Sequence, residues 1–227
     1  MNRIQAIIKK GILVGTILCL TFATIATQTM AVFTENSAKQ SRTTRQNIAD
    51  AYLSDLESAY VYRGKAIKPD FQVITERSEE RDNGDGTITV RTEYLILQKG
   101  SDYSVTYKNN TKIGKATVTI RGRGNYTGEQ SATYKILPRS VTIKTLQSAK
   151  RAVTVRWGKA AGGCSYQIAY RQCGRKSWNY TTSKTTGKKI RCLQSGKRYS
   201  VKVRAYKKVG GKRYNGTWSG EKKIMVS

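Results

Sequence analysis

Residues Leu193 to Tyr206 read LQSGKRYSVKVRAY. A leucine and a glycine turn lead into Tyr199, Val201, Val203 and Ala205, which alternate with Ser200, Lys202, Arg204 and Tyr206. A period of two places the first set on one side of a strand and the second on the other. The segment is therefore a half-buried strand with a basic, aromatic outer side. Its apolar inner side has to be covered by a second layer.

The same period runs through the chain around it. Val141 and Ile143, then Val153, Val155 and Trp157, then Tyr166, Ile168 and Tyr170 form inward sets, and Ile190, Leu193, Ile224 and Val226 continue them. About seven short strands with a tryptophan near the second predict a two-sheet sandwich over residues 138–227. Upstream, Tyr103, Val105 and Tyr107, then Ala116, Val118 and Ile120, then Ala132, Tyr134 and Ile136 predict a smaller sandwich over residues 52–137. Pro138, in ILPRS, marks the boundary between them. The fold class is all-β, two tandem β-sandwich modules, and nothing in the pattern is helical.

Before the first module lies a leader. Arg3, Lys9 and Lys10 precede an apolar run, Gly11 to Ala26, followed by small-residue cleavage options. Residues 1–31 are expected to be a secretory signal peptide, touching a membrane only before cleavage, and residues 32–51 a polar, flexible linker. The destination implied is extracellular.

Charge divides the modules sharply. Residues 52–137 carry 13 basic and 11 acidic side chains, net +2, whereas residues 138–227 carry 23 and 1, net +22, within a chain of +28. A polycation of this kind seeks polyanions. Basic positions fall on both sheets of the predicted sandwich, which suits an extended anionic polymer better than a sequence-read duplex, so nucleic acid is expected only as a non-specific ligand. Aromatic residues interleave with the charge. Arg171, Arg175 and Lys176 stand beside Trp178 and Tyr180, while Lys202, Arg204, Tyr206, Lys207 and Lys208 lead into the Gly210-Gly211 turn. Lys212, Arg213, Tyr214 and Trp218 follow that turn. Stacking on sugars or bases would use such residues, and packing within the module would use them equally.

Catalytic readings lose their parts. The chain has no histidine, which removes Ser-His and Cys-His pairs and the commonest neutral metal ligand. Asp82 to Thr87, DNGDGT, fails as an EF-hand loop because Arg81 and Thr92 would fall where carboxylates are needed, and it reads instead as the turn of a hairpin. Gly122, Gly124 and Gly128 in IRGRGNYTGE are spaced one residue too long for a dinucleotide loop and are followed by strand-like ATYKI. No enzyme activity, cofactor or metal site is expected. Cys164 and Cys192 are in phase with inward residues, and Cys173 lies on a turn. A Cys173 to Cys192 disulfide and three reduced thiols both remain open.

Both modules resemble known families. Leu193, Gly196 and Tyr199 before the alternating strand, Trp157, and GTWSGEKK at Gly216 to Lys223 look like successive features of a fibronectin type III domain. RAYKKVGGKRYNGTWS is similar to the last hairpin of basic variants on surface proteins of clostridia and their relatives. The first module resembles an immunoglobulin-like repeat of the same proteins, through Tyr60 to Pro69, Gly100 to Tyr103, Asn109-Asn110 and Gly124 to Gly128. Its stretch Glu76 to Glu93 is longer and more acidic than that resemblance leads one to expect. The resemblance implies adhesion, spacing or wall attachment rather than catalysis. The expected function is a secreted surface or cell-wall-associated protein binding teichoic acid or glycans. A passive spacer or adhesion pair, or an accessory to a wall-modifying system, is the alternative.

Overall fold

A computed structural model describes residues 45–227, so the expected signal peptide and most of the expected linker lie outside the described residues. Seventeen strands and no helix occur among the described residues. The first sandwich begins with β1 (Gln46–Asn47), β2 (Tyr52–Ser54), β3 (Ala59–Val61), β4 (Gln72–Asp82) and β5 (Ile88–Ile96). It continues with β6 (Tyr103–Lys108), β7 (Gly114–Gly122), β8 (Tyr126–Thr127) and β9 (Glu129–Leu137). One sheet runs β3-β9-β7-β6 and the other β2-β4-β5.

The alternation along β7 fixes what lies between the sheets. Ile120 packs with Ile48, Val73, Leu97 and Tyr103, while Ala116 and Val118 pack with Ile113, Tyr134 and Ile136. Ile48, Val73, Val118, Ile120 and Ile136 are fully buried, each stabilising the fold by about 1.5–3 kcal/mol relative to exposure. Tyr134 is buried edge-on to Tyr60, with ring centroids 5.3 Å apart, and its hydroxyl donates to the Ile67 carbonyl at 2.8 Å.

Two features of this sandwich go beyond the sequence reading. The linker does not extend to residue 51. β1 pairs in parallel with β8, the Ile48 amide donates to the Thr127 carbonyl at 3.0 Å, and both Ile48 and Ala51 enter the core. Two anchors three residues apart carry no strand period, which is why the pattern looked featureless. The second is the role of IRGRGNYTGE. Gly124 and Gly128 have positive φ, as a bulged turn requires, and a Cβ on Gly128 would also overlap the Asn47 side-chain oxygen. This turn is where the N-terminal strand docks.

The acidic stretch is the expected hairpin. β4 and β5 stay paired from Ile74↔Ile96 to Asp82↔Ile88, and beyond Thr75 and Leu95 both strands leave the core. Its turn uses the carboxylates locally, Asp82 accepting from the Gly84 amide and Asp85 from the Thr87 amide, both at 2.9 Å. The Thr87 hydroxyl, together with the Thr87 amide, donates to Asp85 and holds its carboxyl below its ordinary pKa.

The second sandwich comprises β10 (Ile143–Ala149), β11 (Ala152–Trp157), β12 (Ser165–Gln172) and β13 (Asn179–Ser183), then β14 (Gly187–Ile190) and β15 (Arg198–Val209). It closes with β16 (Lys212–Asn215) and β17 (Lys222–Met225). A three-stranded sheet, β10-β11-β14, faces a five-stranded one, β13-β12-β15-β16, with β17 also on β15. Every inward residue read from the alternation joins one core, among them Trp157, Tyr166, Ile168, Val201 and Val203. The Gln194 amide donates to the Tyr199 hydroxyl at 3.1 Å, tying the strand start back to the preceding turn as in a tyrosine corner.

The two sandwiches share a seam. Tyr214 of β16 packs with Ile113, Ala116 and Tyr134 of the first sandwich and is 8% exposed. Beside it, the Gly216 amide donates to the Ala205 carbonyl at 2.9 Å, and a Cβ there would come 2.5 Å from the Pro138 carbonyl oxygen. The boundary at Pro138 is thus clamped by the last hairpin.

Two outcomes follow from these contacts. Tyr214→Ala should cost on the order of 3 kcal/mol and split a single thermal unfolding transition into two, read by calorimetry. Burial raises the Tyr134 hydroxyl from 10.0 to about 12. A folded-state pKa above the unfolded one gives stability that is complete below about 10 and lost as pH rises toward about 12. Denaturant midpoints should therefore fall across that window, and Tyr134→Phe should make the fall shallower.

Candidate functional site

The outer side of the five-stranded sheet is built from the residues that alternate with the core. β12 presents Gln167, Ala169 and Arg171, and β15 presents Ser200, Lys202, Arg204 and Tyr206 beside them. Two tryptophans from outside the strands are laid across this surface. Trp178 comes from the turn before β13, and Trp218 from the break between β16 and β17. That break is fixed by Ser219, whose amide donates to the Val203 carbonyl at 2.7 Å and whose hydroxyl accepts from the Val203 amide at 3.0 Å.

The result is an interleaved stack. The Arg171 guanidinium lies 4.3 Å from the Trp178 ring centroid and the Lys202 ammonium 4.1 Å from it. Lys202 also reaches Trp218 at 5.2 Å, and Arg204 lies over Trp218 at 4.4 Å. Arg213 covers Tyr206 at 3.6 Å, and Tyr180 leans on Trp218 with centroids 6.3 Å apart. Gln167 Oε1 joins the far end, accepting from Arg204 Nε at 2.9 Å and Arg213 Nη2 at 3.1 Å. Ala169 lies under the stack, between Lys202 and Tyr180, and is fully buried although it sits on the outer side.

The chemistry of the stack is that of like charges kept apart by π faces. Each cation over a ring contributes about 0.5–2 kcal/mol, more where water is excluded. Burial, with Arg213 nearby, lowers the pKa of the Arg204 guanidinium. Glu221, the single acid of residues 138–227, stands 3.9 Å from Arg171 at the opposite end. Among the described residues the other three ion pairs are all in the first sandwich and exposed, where such pairs are worth about 0–1 kcal/mol.

Eight of the residues singled out from the sequence therefore meet in one surface: Arg171, Trp178, Tyr180, Lys202, Arg204, Tyr206, Arg213 and Trp218. Arg175 and Lys176 are exposed at the turn after β12, where the Lys176 carbonyl accepts from Arg171 at 3.4 Å. Lys208 and Lys212 are exposed near the last hairpin tip. Two residues are placed differently. Tyr214 belongs to the seam between the sandwiches, because it faces away from Arg213 and Asn215. Lys207 shares that side and donates to the Gly162 carbonyl at 2.6 Å.

The cysteines also divide. All three are free. Cys173 sits 3.4 Å from the Ser200 hydroxyl, and Cys192 is exposed rather than core-facing. Its φ of 60° turns the chain after β14, so that Leu193 takes the buried position instead. Around Cys192, Lys150, Arg151, Lys189 and Arg191 line an open depression of about 300 Å³, a basic cluster that spacing along the chain did not bring together.

No family model matches the sequence, and no curated protein does. Among solved structures, a cytokine receptor complex aligns over 68% of this chain and 90% of its own, with a TM-score of 0.41 and 14% identity. The chicken CNTN1 FN1-FN3 domains align over 77% and 66%, with a TM-score of 0.37 and 12% identity. The twitchin kinase region of C. elegans aligns over 40% and 16%, with a TM-score of 0.32 and 24% identity.

Trp218→Ala should uncover Ala169 and leave Lys202 and Arg204 facing each other. The expected loss is about 1–3 kcal/mol of stability, read as a lower urea midpoint, with a larger loss at low salt than at high salt. Two β-sandwiches in tandem are the architecture that carries this surface.

Proposed function

We propose that the protein is a secreted, non-catalytic surface or cell-wall-associated protein whose second sandwich holds anionic polymers, teichoic acid or glycan, of a Gram-positive-like envelope. The observation that supports this reading is the charge: 23 basic residues against one acid in residues 138–227, that acid lying beside Arg171. The cations are spread over strands, turns and sheet ends, a distribution suited to loose contact along an extended polyanion. In this reading the exposed Arg175, Lys176, Lys208 and Lys212 make the direct contacts, and the stacked cations keep a fixed positive field behind them. Nucleic acid would be held only non-specifically, through the same charge.

A second reading, a passive spacer or adhesion pair, is favoured by one detail. The faces of Trp178, Trp218 and Tyr206 are occupied by the protein's own cations, which leaves them poorly placed to stack on sugars.

Retention on purified walls distinguishes the two. The protein should bind teichoic-acid-bearing walls at low salt and release steeply as salt rises, because each neutralised phosphate frees counterions. Reversing Arg175, Lys176, Lys208 and Lys212 to glutamate should weaken retention at least about tenfold without lowering thermal stability. Equal retention on stripped walls, or no salt dependence, would sink the electrostatic reading.

A further inference from the structure

β5 lies at the edge of its sheet, and no backbone partner other than β4 and the turn that joins the two strands is found along it among the described residues. Its outer side is apolar where it should be polar. Ile88, Val90, Tyr94 and Ile96 are 63, 57, 50 and 58% exposed, and all share one face with Thr92. Tyr52, 40% exposed, extends that stripe across β2 through the Tyr52↔Ile74↔Ile96 register. A long, exposed, apolar edge strand is a template for another strand. A two-stranded ribbon standing clear of its core is also marginal on its own.

The sequence of β5 specifies which strand. ITVRTEYLI is self-complementary about Thr92 when paired antiparallel with itself. Ile88 then meets Ile96 of the second copy, Val90 meets Tyr94, and Thr92 meets Thr92, so the apolar stripe continues across the seam. On the opposite face Arg91 meets Glu93 of the second copy, and Glu93 meets Arg91. Within one chain these two already form an exposed ion pair of 3.0 Å. Across the seam they close an alternating ring of four charges. Centring on Thr92 is the register that pairs all nine residues. The charge balance of the chain favours this meeting place as well. The stretch Glu76 to Glu93 carries six acids and three basic residues, net −3, in a chain of +28, so here two copies approach without bringing their polycations together.

We propose that β5 is the two-fold seam of a homodimer, in which two β2-β4-β5 sheets join into one continuous six-stranded sheet. The interface is isologous, as two-fold symmetry demands, and the occupant of the edge is a second copy of this chain.

The test uses the full chain. Thr92→Cys should give a covalent dimer under mild oxidation on a non-reducing gel, above the level of the unsubstituted chain. Ser78→Cys, on β4 and about 14 Å from its counterpart at three strand spacings, should not. Arg91→Glu and Glu93→Arg, each alone, set like charges opposite and should weaken dimerisation at least about tenfold in sedimentation. Mixing the two variants should restore it, because the heterodimer pairs two glutamates with two arginines. Absence of the Thr92→Cys dimer, its crosslinking to a different protein, an equal yield from Ser78→Cys, or no recovery on mixing would each overturn the proposal. Unchanged melting of the two charge variants rules out misfolding as the cause.

Discussion

The second sandwich is governed by repulsion. Twenty-three cations and one carboxylate on residues 138–227 cannot be balanced by ion pairs, because the partners do not exist in the sequence. Where β12 and β15 run side by side, Arg171, Lys202 and Arg204 would otherwise face each other across the sheet. Tryptophan and tyrosine faces take the place of the missing acids, inserted between the charges rather than beside them. Much else follows from that arrangement. The last strand is broken so that Trp218 can cross the sheet, Ser219 holds the break, and Ala169 must be small because rings and methylene stems lie over it.

The first sandwich solves a different problem. Its charges nearly cancel, and its core is divided along β7 into two apolar groups, one of which is completed by Tyr214 from the second sandwich. The two modules are therefore separate in strand topology but not in packing. Gly216 and Pro138 meet at the same place, so that the chain passes from one module to the other under a backbone contact instead of through a free tether.

Much of this was legible in the sequence, for physical reasons that differ by element. Period two in β7, β11, β12 and β15 put each residue it named as inward into the core, because a strand with one wet face has no other way to order its side chains. The hairpin at Asp82 to Thr87 was legible from turn chemistry. Gln46 to Ala51 was not, since a two-residue strand has no period to read. For the site, composition and alternation gave its members but not their order. Which ring lies over which cation depends on where Trp178 and Trp218 fold back onto the sheet, and turns do not announce that direction. Tyr214 and Lys207 were misplaced because a strand alternating next to a basic face looks the same whether its other face meets solvent or a neighbouring module. Cys192 was misplaced because its own backbone is left-handed, just past the end of β14, so the alternation that reaches Ile190 does not carry on to it.

The stack also decides where the chain can be cut. A module with this many lysines and arginines offers a trypsin-like protease a target at every few residues, yet such an enzyme must draw several residues of free, extended backbone into its cleft. Lys202 and Arg204 lie on a central strand flanked by β12 on one side, with their side chains pinned on tryptophan. Reaching them means opening the sheet. Arg175-Lys176 lie in a turn and Lys212 borders the Gly210-Gly211 turn, so neither needs such opening. The aromatic faces that separate the charges thus also ration their exposure, leaving the module durable along its strands and vulnerable only at its corners.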